Sequence, residues 1–183
     1  MTKLHQRTSQ WFETLVRTDS LYTGWLPSLY WAERGGALRF GEIVGRFQPR
    51  GYAFNSYAGI IADEFRHAGL VEHLLVEKGI PVPSAPKPER YWGQIWPWIK
   101  SFEDACAAGA FGEMLARNRF RVIARHPLLP ADFRPIVEQI LPDEERHAEL
   151  LGKLAGTDAM HRMRPHHMHG MAALGLVEVV EDD

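Results

Sequence analysis

Two pentapeptides constrain this chain more than any other feature: DEFRH at Asp63–His67 and DEERH at Asp143–His147. Around the first, Tyr57, Ile60, Ile61, Ala68, Val71, Leu74 and Leu75 recur at the spacing of one helix face, and Glu64 and His67 fall on the same stripe. A helix that turns a carboxylate and an imidazole toward its own apolar side must meet a compensating group there, because burying an unpaired charge is costly. Two such helices in one chain point to a shared polar centre.

An offset of 80 residues carries Asp63, Glu64, Arg66, His67 and Ala68 onto Asp143, Glu144, Arg146, His147 and Ala148. The same offset carries Glu33 to Glu113 and Arg39-Phe40 to Arg119-Phe120. Fifteen glutamates and nine histidines in 183 positions give roughly 0.7 Glu-x-x-His pairs by chance, so one pair would mean little. The aspartate before and the arginine between, present in both copies, are what chance does not supply.

Prolines and glycines divide the rest into long periodic segments without the alternation of a sheet, which predicts an all-α fold. The expected helices are a short amphipathic one over 4–18, then 27–47 with Pro27 in its first turn, 52–78, 97–126 and 133–154. IPVPSAPKP, from Ile80 to Pro88, is the linker. Short turns within each pair make two antiparallel hairpins, and the linker lets the second return beside the first as a four-helix bundle over 1–155. Residues 156–183 are expected as an irregular tail, extended or partly ordered.

In an antiparallel hairpin, residues equidistant from the turn lie at one level. A turn near Gln48-Pro49 therefore matches Glu64 with Glu33, and one near Leu128-Leu129 matches Glu144 with Glu113. Glu42 reads as a solvated face near Arg39 and Arg46, and Glu103 lies about 15 Å along its helix from the level of Glu144. Four buried carboxylates at one level repel one another unless protonated or matched by cations. Two divalent ions offset them, and the two neutral imidazoles add one nitrogen each. Such oxygen-rich ligation suits iron, with manganese as the substitute, rather than thiolate-loving structural zinc. The candidate metal ligands are thus Glu33, Glu64, His67, Glu113, Glu144 and His147. Asp63 and Asp143 are candidates to hold the outer N–H of the histidine on the opposite helix, and Arg66 and Arg146 to neutralise those aspartates.

These helices and motifs resemble the ferritin-like di-iron carboxylate superfamily over about residues 25 to 155. The (D/E)ExRH form is similar to the oxygen-activating members: bacterial multicomponent monooxygenases, acyl-carrier-protein desaturases and the ribonucleotide reductase radical subunit. Within it, YWAERGGALRFGEIV with IIADEFRHAGLVEHLLVEKGI, and GAFGEMLARNRF with DEERHAELL, look closest to the small tRNA-modifying di-iron hydroxylases. The resemblance implies an O2-dependent di-iron monooxygenase or oxidase acting on a small or mostly apolar organic substrate, with an external electron donor. The alternatives are iron handling, as ferroxidase or store, and a rubrerythrin-like peroxidase. Ala116, where rubrerythrins carry an additional carboxylate, and the lack of a cysteine-rich iron domain count against the last.

Other features leave alternatives open. The net charge of -2 gives no general attraction to nucleic acid, and the place to look for tRNA binding is a basic face of Arg46, Arg50, Arg117, Arg119, Arg121 and Arg125, which read equally as solvated helix positions. Gly35, Gly36, Ala37 and the small residues from Ala105 to Ala110 require close helix packing or open space near the metals. Trp92, Trp96 and Trp98 are candidates to wall a pocket or to pack a core or interface. His161, His166, His167 and His169 in the tail read as solvated or as loose metal binders, whereas His73 and His126 read as polar helix or turn residues. Cys106 is the only cysteine, so there is no intramolecular disulfide. Without a signal-peptide run or a membrane span, the expected location is the cytoplasm, as a monomer or homodimer.

Overall fold

The computed structural model describes residues 3–85 and 89–177, all helix and connections with no strand among them. Residues 86–88 of the linker and 178–183 of the tail lie outside the described residues. Helix α1 spans Lys3–Arg17, α2 Asp19–Phe47, α3 Gly51–Glu77, α4 Arg90–Ile95, α5 Phe102–Ala124 and α6 Arg134–Ala173, with a 3-10 turn at Trp96–Trp98. Helices α2 and α3 pack as one hairpin and α5 and α6 as another, with α3 against α6 and α2 against α5.

The four long helices bury two apolar clusters with a polar layer between them. One cluster gathers Leu26 and Tyr30 of α2, Val71 and Leu75 of α3, Ile123 of α5, and Val137 and Ile140 of α6. The other gathers Phe40 and Ile43, Tyr57 and Ile60, Cys106 and Ala110, and Leu151 from the same four helices. Each helix thus crosses from one cluster to the other, and in each the crossing point carries a buried glutamate. The apolar residues on either side fix the register that brings those glutamates to one level.

Three expectations need correction. Helix α2 begins at Asp19, with Pro27 inside it: Tyr22, Leu26 and Leu29 recur one turn apart on a buried face, and Thr18 alone separates α2 from α1. Helix α5 starts at Phe102, later than Pro97, because Ser101 and Asp104 form a reciprocal capping box there. The tail is not irregular. Helix α6 changes direction at Gly156, whose φ of 69° and ψ of 168° only glycine adopts readily, and continues as helix to Ala173. Ala159, Met163, Gly170 and Met171 are buried. Arg162 donates to Asp104 at 2.8 Å, and the Tyr91 hydroxyl meets His167 Nδ1 at 2.6 Å. His166 stacks on Trp98 at 4.3 Å and His167 on Phe111 at 4.5 Å, so these tail histidines serve docking.

Candidate metal centre

Glu33 of α2, Glu64 and His67 of α3, Glu113 of α5, and Glu144 and His147 of α6 are all buried and converge in the layer between the apolar clusters. His67 Nδ1 lies 3.4 Å from Glu33 Oε2, 3.8 Å from Glu64 Oε1 and 3.6 Å from Glu144 Oε1. His147 Nδ1 lies 3.4 Å from Glu64 Oε1 and 3.8 Å from Glu113 Oε2. The donor atoms fall into two groups able to hold a metal ion: Glu33, Glu64, His67 and Glu144, and Glu64, Glu113, Glu144 and His147, each with its atoms within 4.8 Å of one another. Glu64 and Glu144 belong to both. All six residues singled out in the sequence are brought together, and Glu42 and Glu103 stay exposed at the surface.

The outer nitrogens face the other way. His67 Nε2 lies 3.2 Å from Asp143 Oδ2 and His147 Nε2 lies 3.3 Å from Asp63 Oδ2, so each imidazole is aimed by an aspartate of the opposing helix. Arg66 and Arg146 each pair with both aspartates, closing a ring of two anions and two cations. With Nε2 donating outward, Nδ1 is left as the ligand atom facing the glutamates.

Glu64 Oε1, Glu144 Oε2 and both histidine Nδ1 atoms are buried without a hydrogen-bond partner. Unpaired polar atoms at one spot are costly, and here every one is a metal-ligand type. Protons do the balancing when cations are absent: burial, then the nearby Glu113 charge, pushes Glu64 up to about 8. Burial and Glu113 also raise Glu144 well above the carboxylate range. For His147, burial opposes the charged ring, but the neighbouring Glu113 and Glu64 carboxylates outweigh it and raise it to about 10. Asp143 moves oppositely: against its burial, hydrogen bonds from His67, Arg66 and Arg146 draw it down to about 2. The donor set of four carboxylates and two imidazoles fits a pair of divalent ions, which would supply the charge those protons supply.

Small residues make the layer buildable. A Cβ on Gly36 would overlap the Glu64 carboxylate, and one on Gly109 would stand 3.0 Å from both Leu151 and Phe40. Gly109 therefore serves close packing and Gly36 makes room for the Glu64 side chain. A cavity of about 370 Å³ has Glu33, Glu64, Glu113 and Glu144 in its wall and is otherwise lined largely by α2, α5 and the start of α4. Trp92 lines it, whereas Trp96 and Trp98 do not; Trp31, Arg39 and Arg119 do. The sequence reading missed Trp31 and α4, and it placed Arg119 on a surface. The recurrence of Gly112, Ala116 and Arg119 at helical spacing was the available signal. Of the other arginines, Arg121 pairs with Glu145 at 2.8 Å and Arg46 donates to the Ile99 carbonyl at 3.0 Å. His73 is exposed beside Glu77, and the buried His126 accepts from Leu128 N–H at 3.2 Å.

Comparison with protein-family models, with curated proteins and with solved structures finds no significant match to any of them. Among the described residues no helix is long and apolar enough to cross a membrane.

Proposed function

We propose that this chain is a ferritin-like non-haem di-iron oxygenase or oxidase, acting on an organic substrate in the cytoplasm with electrons from an external donor. The observation that carries the reading is the pair of buried donor groups sharing Glu64 and Glu144, with a substrate-sized cavity along their carboxylates. Glu33, Glu64, His67 and Glu144 would hold one metal ion, and Glu64, Glu113, Glu144 and His147 the other. When bound, a pair of iron ions supplies the electrons and Lewis acidity that dioxygen activation requires. The chain's own groups do the rest. The Asp63, Asp143, Arg66 and Arg146 ring holds the imidazoles in one tautomer and orientation. The apolar clusters on either side keep bulk water from the layer. An iron store would need no organic-sized cavity beside its metal ligands, and the cavity favours the oxygenase over that alternative.

The test is direct. Protein from iron-rich medium is expected to carry about two irons per chain and, with a reductant, to consume O2 in a substrate-dependent way with an oxygenated or desaturated product by mass. Iron oxidation without any organic product, across reductants and a broad substrate library, would overturn the reading in favour of iron handling.

A further inference from the structure

The same cavity holds a second set of unpaired groups, and these are donors. Arg119 lines it, and among the described residues its guanidinium has no hydrogen-bond or ion-pair partner. It lies over the face of Trp11, 5.5 Å away, and feels the charge of Glu33. Trp31 Nε1 and Arg39 Nε, on two further lining residues, are buried donors without acceptors.

Charge counting isolates Arg119. Two divalent ions would use up the four glutamates, the ring of Asp63, Asp143, Arg66 and Arg146 is neutral in itself, and Arg39 is paired with Glu89. What remains is one half-buried guanidinium, Arg119, with the exposed Arg90 also in the wall. A cation partly shielded from water with nothing opposite it favours an anion, and a guanidinium fork matches a carboxylate in charge and shape. Arg119 follows Glu113 on α5 by six residues, an axial rise of about 9 Å, so one small molecule can reach from the arginine to the metal ligands. Trp31, Trp92 and Phe40 give that molecule an apolar wall.

We propose that Arg119, helped by Trp31 Nε1–H, is a carboxylate-binding subsite, and that the substrate is a small organic carboxylate whose apolar body lies along the tryptophans. This deepens the oxygenase reading and rests on it for the identity of the ligand as substrate. A single guanidinium matches a monoanionic carboxylate better than a dianionic phosphate.

Binding of 4-phenylbutyrate, its uncharged amide and phenyl phosphate is measured by calorimetry on the full chain, anaerobically, both as purified and after ferrous loading, with iron content determined on the same samples. The acid should bind at least about tenfold more tightly than the amide. Arg119→Gln should remove that preference while leaving affinity for the amide and the iron content unchanged, and Arg119→Lys should retain part of it. Equal binding of acid and amide overturns the proposal, as does a preference that survives Arg119→Gln, since the metals would then hold the acid. Tighter binding of phenyl phosphate overturns the choice of carboxylate. Should Arg119→Gln fail to fold, Arg119→Lys decides: an undiminished preference refutes the subsite and a reduced one supports it. Iron content tests the di-iron reading separately, because the acid and amide are also compared in protein as purified.

Discussion

Removing the metals should invert the protein's response to pH. In the metal-free protein Glu64 titrates near 8 against an ordinary 4.5, and His147 near 10 against 6.5. Both native values are raised, so across pH 6.5 to 8 the folded state holds protons that the unfolded chain has released. Stability changes with pH as the protons bound unfolded minus those bound folded, which is negative here. Stability is therefore fullest at the acid side of that window and is lost as pH rises through the native values. Asp143 has the opposite sign: with its native value at about 2 against 3.8, its contribution is present above 3.8 and lost as pH falls toward 2. The metal-free optimum thus lies in the weakly acidic range. The acids and imidazoles of the layer titrate as a unit, and each excess proton gives a slope of about 1.4 kcal/mol per pH unit. For a chain of this size each such proton moves the unfolding midpoint by roughly 3–5 °C per unit. Divalent ions displace those protons, so the fall should flatten or reverse in loaded protein, with metal affinity rising with pH. Thermal melts from pH 5 to 9, with and without ferrous or manganous ion, measure both slopes. A metal-free midpoint that stays flat or climbs between pH 6.5 and 8 refutes the claim that protons stand where cations belong.

Three substitutions and one control probe separate layers of the same architecture. Glu113→Ala should lower metal content by at least one ion per chain by elemental analysis, while Glu42→Ala, on an exposed face, should leave occupancy unaltered. Asp143→Asn removes the charge that aims His67, so metal affinity by competition with a chelator should fall about 10- to 100-fold with all six inner side chains intact. Gly156→Ala places a side chain at φ 69° and ψ 168°; calorimetric melts should show a loss of about 1–3 kcal/mol, with metal content unchanged.

The donor set was legible in the sequence because it depends on local spacing and on a repeat. Glu-x-x-His puts both groups on one face wherever the helix goes, and equal distance from a turn selected Glu33 and Glu113. The crossed pairing of Asp63 with His147 and Asp143 with His67 followed from antiparallel helices at one level. The order of the tail was not legible. Its docking depends on Tyr91, which lies between the expected linker and the next expected helix, on Trp98, read as pocket wall or core or interface packing, and on a glycine whose positive φ lets α6 turn back. The sequence showed that glycine but not its direction. Arg119 was misplaced for a related reason: an arginine on a helix reads as solvated unless the neighbouring element's aromatic rings are known to cover it, and here Trp11 comes from α1.

The repeat relates the two halves of the donor set, yet the surroundings of that set are one-sided, and this decides from which side a small molecule can reach it. On the side of α3 and α6 the imidazoles are backed by the Asp63, Arg66, Asp143 and Arg146 ring. On the side of α2 and α5 each helix offers one glutamate, with small residues beside it, Gly35 and Gly36 in one and Gly112 and Ala116 in the other. The cavity lies on this second side, where Gly36, Gly112 and Ala116 contribute to its wall. A glycine inside a helix costs roughly 1 kcal/mol against alanine. At Gly36 that cost admits the Glu64 carboxylate, which a Cβ would overlap. Gly36→Ala should accordingly raise helix propensity and still weaken metal binding. Measuring the metal-free melting midpoint beside chelator-competition affinity separates the two effects, and a variant that gains stability with undiminished affinity would show that Glu64 does not need the space.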